Sequence, residues 1–227
     1  MTTRRRSRQA FTLLELTVTI FLITLVVAFT LPQITSAMTL GNEQQAKASV
    51  NGAMDAIVAA YGRGGASRPW DTSQNPSRPQ APETSAALIR NQSPDVRVTP
   101  TSTDFSTGNN QVSASAYLIT DAAGQTWWRV GVASWSGGSN PTCWIGWRDL
   151  DAPASSTAPN EAFYYLDLSS SFSDPTQWQP YCNGKVAARL PWIPPADPSQ
   201  AATGRTWATP RLMDDPAVVI SAYNSAN

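Results

Sequence analysis

The sequence predicts an α+β fold, in which a long N-terminal α-helix packs on a C-terminal antiparallel β-sheet. The first observation is an apolar run near the N-terminus, which continues into a segment with helical periodicity. The second is a Pro- and Ser-rich stretch in which that pattern ends. The third is a series of short runs rich in Val, Ile, Trp and Tyr, which is typical of strands. One helical segment followed by several strands is an α+β layout.

Charge is unevenly placed along the 227 residues, although basic and acidic residues are equal in number at 16 each. Arg4, Arg5, Arg6 and Arg8 all lie in residues 1–10, which leaves 12 of the 16 basic residues against 16 acidic ones. A body with that negative balance is not typical of proteins that bind nucleic acid. The charged content of 14% is low and favours an exported protein.

Catalytic motifs are missing from the sequence. Histidine, the commonest general base and metal ligand, is absent. Residues 62–65 lack the preceding strand and the following Lys-Ser/Thr of a phosphate-binding loop. The acidic pairs Asp149/Asp151 and Asp214/Asp215 could hold Ca²⁺, but their spacing does not identify such a site, and we favour solvated loop acids. We therefore predict a protein that is not an enzyme, with no catalytic residue, no cofactor and no metal site.

Residues 11–31 form an apolar run with one acidic residue, Glu15, and no basic residue. As a helix, these 21 residues would span about 30 Å, the thickness of a bilayer's hydrocarbon core. The preceding arginines favour a cytoplasmic N-terminus. A signal peptide cleaved near the small-x-small residues 35–37 and a plain membrane anchor are two interpretations, but neither needs Glu15. A carboxylate in an apolar helix is costly and usually functional, so Glu15 favours a third interpretation, which depends on residues 10–15.

Residues 10–15, Ala-Phe-Thr-Leu-Leu-Glu, resemble the N-terminal cleavage motif of the type IV pilin and type II secretion pseudopilin family. The resemblance implies that prepilin peptidase cuts between Ala10 and Phe11, removes residues 1–10 and leaves Phe11 to be N-methylated. Glu15 then becomes the fifth residue of the mature chain. Pro32 falls where many pilins carry a helix-kinking proline. Ala10 replaces the family's usual Gly.

The resemblance also implies a role for Glu15 in filament assembly. The ammonium of Phe11 and the carboxylate of Glu15 are each costly alone in a surrounding of low dielectric constant. Pairing one subunit's carboxylate with a neighbour's ammonium relieves both costs. We expect this assembly salt bridge to set the axial register of subunits in a filament.

The predicted helix has two parts. Residues 11–37 form a hydrophobic helix for the membrane and later the filament core, and Pro32 kinks or locally unwinds it. Residues 38–62 form an amphipathic helix, because apolar residues recur at three- and four-residue steps. The following stretch, 63–110, is a Pro- and Ser-rich connecting loop with one short helix near 84–91.

Residues 111–227 form the predicted antiparallel β domain. Cys143 and Cys182 predict one disulfide in an exported protein, whereas in a reducing compartment they would be two free thiols. The first two strands form a hairpin, and a fifth strand is weaker. The predicted elements are strands Gln111–Thr120, Gln125–Trp135, Cys143–Arg148, Ala162–Leu168 and Gly184–Leu190, and a short closing element Ala217–Tyr223.

Nine tryptophans, all after residue 69, have two interpretations. They either pack the sheet and its loops or form an aromatic platform for sugars or single-stranded DNA, and we favour packing. Trp127 and Trp128 are adjacent in a predicted strand, so their side chains point to opposite faces of the sheet. We expect at most one of them to lie under the helix.

The predicted function is that of a structural subunit of a type IV pilus or pilus-like filament. Expected partners are further copies in a homo-oligomeric filament, other pilins, prepilin peptidase, the inner-membrane assembly platform and the bilayer before assembly. The C-terminal domain would lie outside the cytoplasm, and later in an extracellular pilus or a periplasmic pseudopilus. A type II secretion pseudopilin and a minor or competence pilin are alternatives within the family. An alternative of another class is a secreted or anchored carbohydrate-binding module; no motif supports nucleic-acid or glycan binding.

Overall fold

The computed structural model of the chain has the predicted α+β class, with one long N-terminal helix against a mostly antiparallel sheet. The predicted cleavage site, Ala10–Phe11, lies outside the residues that the structure describes. Those residues are 12–62, 70–71, 78–79, 89–90, 94–100, 105–120, 124–138, 141–150, 160–166, 168, 172–191, 211–213 and 215–225.

Helix α1 runs from Leu13 to Gly62 and continues through Pro32. It ends at the first glycine of residues 62–65, where the sequence predicts a stop. Every side chain from residue 12 to residue 38 is exposed, whereas Ala46, Val50 and Ala53 are fully buried. The helix therefore has a projecting half and a packed half.

The central strands of the sheet are long, and its edge strands are short. Strands β4 to β7 are sequential antiparallel neighbours, while the edge strands β3 and β8 pair in parallel with β4 and β7. Two further short strands, β1 and β2, form a separate antiparallel pair. The strands are β1 Trp70–Asp71, β2 Arg78–Pro79, β3 Arg97–Val98, β4 Gln111–Thr120, β5 Thr126–Trp135, β6 Cys143–Leu150, β7 Glu161–Leu166 and β8 Arg211–Met213.

Four of the five predicted strands are present with bounds within two residues, as β4 to β7. The fifth prediction is wrong, because residues 184–189 form helix α3, Gly184–Arg189. The side chain of Asn183 caps this helix by accepting a hydrogen bond of 2.9 Å from the backbone N–H of Val186. The seven residues 184–190 are too few to show a helical period, so their pattern could not distinguish strand from helix.

Other local predictions differ in detail. Strands β1, β2 and β3 lie within residues 63–110, where only a loop and a short helix were expected. Ile89 and Arg90 are helical, and the rest of the short helix predicted near 84–91 lies outside the described residues. The C-terminal part of the domain also contains α2 (Pro175–Trp178), a 3-10 turn (Gln179–Tyr181) and α4 (Pro216–Asn224). Helix α4 is the closing element predicted at Ala217–Tyr223.

Both faces of the sheet are covered, which makes the domain a three-layer arrangement. On one face, Val112, Val132 and Phe163 share a core with Val50 and Met54 of α1. The opposite face packs on the C-terminal helices, in a core that includes Ile145, Trp147, Leu166, Trp178, Val186 and Val219. The prediction placed a helix on one face only, and the second helical layer was not foreseen.

The predicted disulfide joins Cys143, the first residue of β6, to Cys182, which precedes the cap of α3. Both cysteines are fully buried, and their Cα atoms are 5.7 Å apart. The bond therefore ties the C-terminal helical layer to the centre of the sheet.

Candidate assembly site on the N-terminal helix

The projecting half of α1, residues 12–38, is an unusual surface for a folded chain. Its 27 exposed residues would extend about 40 Å. The most apolar window of the helix has a mean hydropathy of 2.3, and none of that window is buried. By length and composition alone this helix could cross a membrane. An apolar surface of this size in a soluble chain normally marks contact with lipid or with another protein.

Hydroxyl groups on the projecting half are satisfied within the helix. Thr17, Thr19 and Thr24 each donate a hydrogen bond to a backbone carbonyl one turn earlier, at 3.1, 2.6 and 2.8 Å. Thr35 and Ser36 both donate to the carbonyl of Pro32, at 2.9 Å each. These side chains therefore expose few unpaired polar atoms, which suits an apolar environment.

Glu15 forms a capping box with Thr12 at the start of α1. The backbone N–H and the hydroxyl of Thr12 both donate to Oε2 of Glu15 at 3.0 Å. In return, the backbone N–H of Glu15 donates to the Thr12 hydroxyl at 3.2 Å. Thr-x-x-Glu is the sequence signature of this cap, so the contact could be predicted from residues 12–15. Glu15 thus has partners within its own chain. Its predicted partner is the Phe11 ammonium of a neighbouring subunit, and Phe11 lies outside the described residues.

Pro32 lies within the projecting half without ending the helix. Because proline has no backbone N–H, the carbonyl of Ala28 loses its usual helical donor. The kink expected at Pro32 stays a prediction.

A cluster of polar contacts fixes α1 to the sheet domain at the point where the projecting half ends. The side-chain amide of Asn109 donates to Oδ1 of Asn42 at 2.9 Å and to Oε1 of Gln45 at 3.0 Å. The hydroxyl of Ser49 donates to the carbonyl of Asn109 at 3.0 Å. Asn42 and Ser49 lie two helical turns apart on α1. The contacts of both residues with Asn109 would therefore hold the projecting half in one direction relative to the domain.

Six tryptophans whose side chains the structure describes are packing residues. Trp127, Trp135, Trp147 and Trp178 are buried, with 9% exposure or less, and Trp128 and Trp144 are partly buried. Trp128 lies opposite Leu150, on the face that α1 covers, and Trp127 lies on the other face. Among these six, none offers an open platform for a sugar ring.

Within the described part of the chain, no group of three or more Cys, Asp or Glu side chains is placed to hold a metal ion. The exposed apolar side chains of residues 12–38 form a surface suited to association with lipid or protein. No protein-family model, curated protein or solved structure matches this chain.

Proposed function

We propose that this chain is a structural subunit of a type IV pilus or pilus-like filament, processed by prepilin peptidase and assembled through α1. The observation that carries the proposal is the projecting half of α1, which is wholly exposed, apolar and continuous with a helix anchored to a folded domain. Before assembly the bilayer would cover this half. In the filament, the same half of neighbouring subunits would cover it.

The length of the projecting half favours a filament over a plain anchor. If residues 11–31 fill the hydrocarbon core, Ile34, Met38 and Leu40 stand between the bilayer and the domain. These side chains are 52%, 64% and 58% exposed, respectively. A plain anchor needs no apolar side chains there, whereas a bundle of neighbouring helices would bury them.

The projecting half of α1 also bears on the alternative functions. A type II secretion pseudopilin or a minor or competence pilin would have the same projecting helix and remains within the proposal. A carbohydrate-binding module was the alternative of another class. No specific observation favours it, because the six tryptophans whose side chains the structure describes are buried or partly buried.

The intact mass of the mature protein tests the proposal. Loss of residues 1–10 with the addition of one methyl group is the expected result. Loss of residues 1–37 would identify a secreted protein with an ordinary signal peptide, and retention of residues 1–10 in the membrane would identify a plain anchor. Expression in matched cells that lack prepilin peptidase is the control, in which the chain should keep its leader.

A further inference from the structure

Arg189, the last residue of α3, has a guanidinium group whose charge is not balanced by any ion pair in the described part of the chain. Its Nε atom is buried and has no hydrogen-bond partner. Nη1 makes one long contact of 3.4 Å to the carbonyl of Lys185. Two other arginines of the domain, Arg129 and Arg148, are paired with carboxylates. Arg189 is therefore a half-buried cation that forms no ion pair within the described residues and has one unused donor, Nε.

The ring of Tyr117 covers one side of this guanidinium, with the Cζ atom of Arg189 lying 4.3 Å from the ring centroid. Partial burial lowers the pKa of Arg189 from its ordinary value, and the nearby Tyr117 opposes that shift. A guanidinium nevertheless remains charged at neutral pH. Stacking on the ring holds the planar group in place beside the pocket that Arg189 lines.

A pocket of about 430 Å³, open to solvent, lies beside Arg189 and helix α4. It combines one cation with hydroxyl groups and small apolar side chains. Its lining includes Arg189, Ser221, Ser225, Pro191, Ala217 and Val218.

We propose that this pocket binds a carboxylate attached to a short apolar group, with Arg189 as the anion partner. The fork of N–H donors on a guanidinium matches the two oxygens of a carboxylate. The single cation of the described lining suits a monoanion better than a phosphate. The apolar wall of α4 would receive the carbon chain, and a seryl hydroxyl would supply a further hydrogen bond.

The test uses the full chain in nanodiscs and sodium butyrate, observed by saturation-transfer NMR. Butyramide has a similar shape without the charge and is the matched control ligand. Saturable binding of butyrate, with a Kd on the order of 1 mM, is expected for a small carboxylate, and weaker or no binding of butyramide. Equal binding of the two ligands, or no saturable binding of butyrate, would overturn the proposal, as would tighter binding of inorganic phosphate.

Variants locate the site. Arg189→Gln should weaken butyrate binding about tenfold or more, because a charge-assisted hydrogen bond is lost. Arg97→Gln removes the same charge from an exposed strand residue and should bind as the unmodified chain does. Arg189→Lys keeps the charge without the planar fork, so its affinity for butyrate should lie between those of Arg189→Gln and Arg97→Gln. A folding defect in one variant therefore does not decide the result. Unchanged binding by both Arg189 variants would contradict the assignment.

A second arm distinguishes the source of the carboxylate. Tetra-alanine with a free C-terminus is compared with its amidated form under the same conditions. Tighter binding of the free peptide than of butyrate would support a partner chain's C-terminus as the ligand. Binding no tighter than that of butyrate would support a small organic acid.

Discussion

Arg129 and Asp149 lie directly opposite each other on β5 and β6 and form a two-pronged ion pair inside the domain. Nε and Nη2 of Arg129 donate to the two carboxylate oxygens of Asp149 at 2.5 and 2.9 Å. Nη1 donates to the carbonyl of Leu190 at 3.2 Å, at the end of α3. The guanidinium also stacks on Trp147, 3.6 Å from its ring centroid. One arginine therefore links two strands, a core ring and the helical layer.

Removal of one partner of this pair should destabilise the domain strongly. Asp149→Ala leaves Arg129 buried without its counter-ion, and we expect the free energy of unfolding to fall by about 3–5 kcal/mol. Arg148→Ala breaks the more exposed pair with Glu161, whose side chains are 23% and 11% exposed, and should cost less. Urea unfolding of the full chain in detergent measures both. The double variant Arg129→Met/Asp149→Leu should recover much of the loss, and equal losses for the first two variants would contradict the assignment.

Gly131 of β5 is required by the close approach of α3. A Cβ atom at this position would overlap the backbone of Ala187 and Ala188. The clash is with backbone, which cannot move aside as a flexible side chain can, so Gly131→Ala should destabilise the domain by about 1–3 kcal/mol.

Gly41→Ala is the matched control for this prediction. Gly41 is an exposed residue of α1, and a Cβ atom there would meet nothing within 4 Å. Alanine is favoured over glycine in a helix, so this change should be neutral or stabilising by up to about 1 kcal/mol. Thermal unfolding of the two variants in the same detergent compares them. If the Gly131→Ala protein were as stable as the Gly41→Ala protein, the close contact between α3 and Gly131 of β5 would be contradicted.

Loss of the disulfide should destabilise the folded domain by about 3–4 kcal/mol, because the bond closes a loop with a sequence separation of 39 in the unfolded chain. The double variant Cys143→Ser/Cys182→Ser avoids a free thiol, and urea unfolding measures the change. Both cysteines have 0% exposure, so dithiothreitol should reduce the bond slowly without denaturant and quickly in urea. Rapid reduction of the native protein would contradict this packing.

Glu15 needs a test that separates helix capping from charge pairing between subunits. Glutamine can replace glutamate in a capping box, so Glu15→Gln keeps the contacts with Thr12 and removes the charge. If the carboxylate pairs with a neighbour's ammonium, Glu15→Gln and Glu15→Ala should both abolish filaments, counted by electron microscopy of sheared cells. Assembly of Glu15→Gln at the unmodified level, with failure of Glu15→Ala, would assign Glu15 to capping alone. Cleavage and membrane level of each variant, measured by immunoblot, are the controls.

Local patterns predicted the elements that are long or strongly periodic. Strand β4 has the predicted bounds, and the buried face of α1 includes Ala46, Val50, Ala53, Met54 and Ile57, the apolar positions of the periodic pattern. Helix α3 was missed because six residues make less than two turns. The second helical layer had a signal in β5, whose residues Trp127, Trp128, Val130, Val132 and Ala133 are apolar on both faces. A strand of that kind is covered on both sides.

The sequence by itself determined the long helix, the order of the central strands, the cysteine pair and the Thr-x-x-Glu cap at the helix start, because each depends on neighbours along the chain or on composition. Only the tertiary structure decided what lies far apart in sequence. It left residues 12–38 without intramolecular cover, stacked Arg129 on Trp147, and laid α3 against Gly131. Burial and close approach depend on which surfaces meet in three dimensions, and periodicity along one segment does not specify its partner.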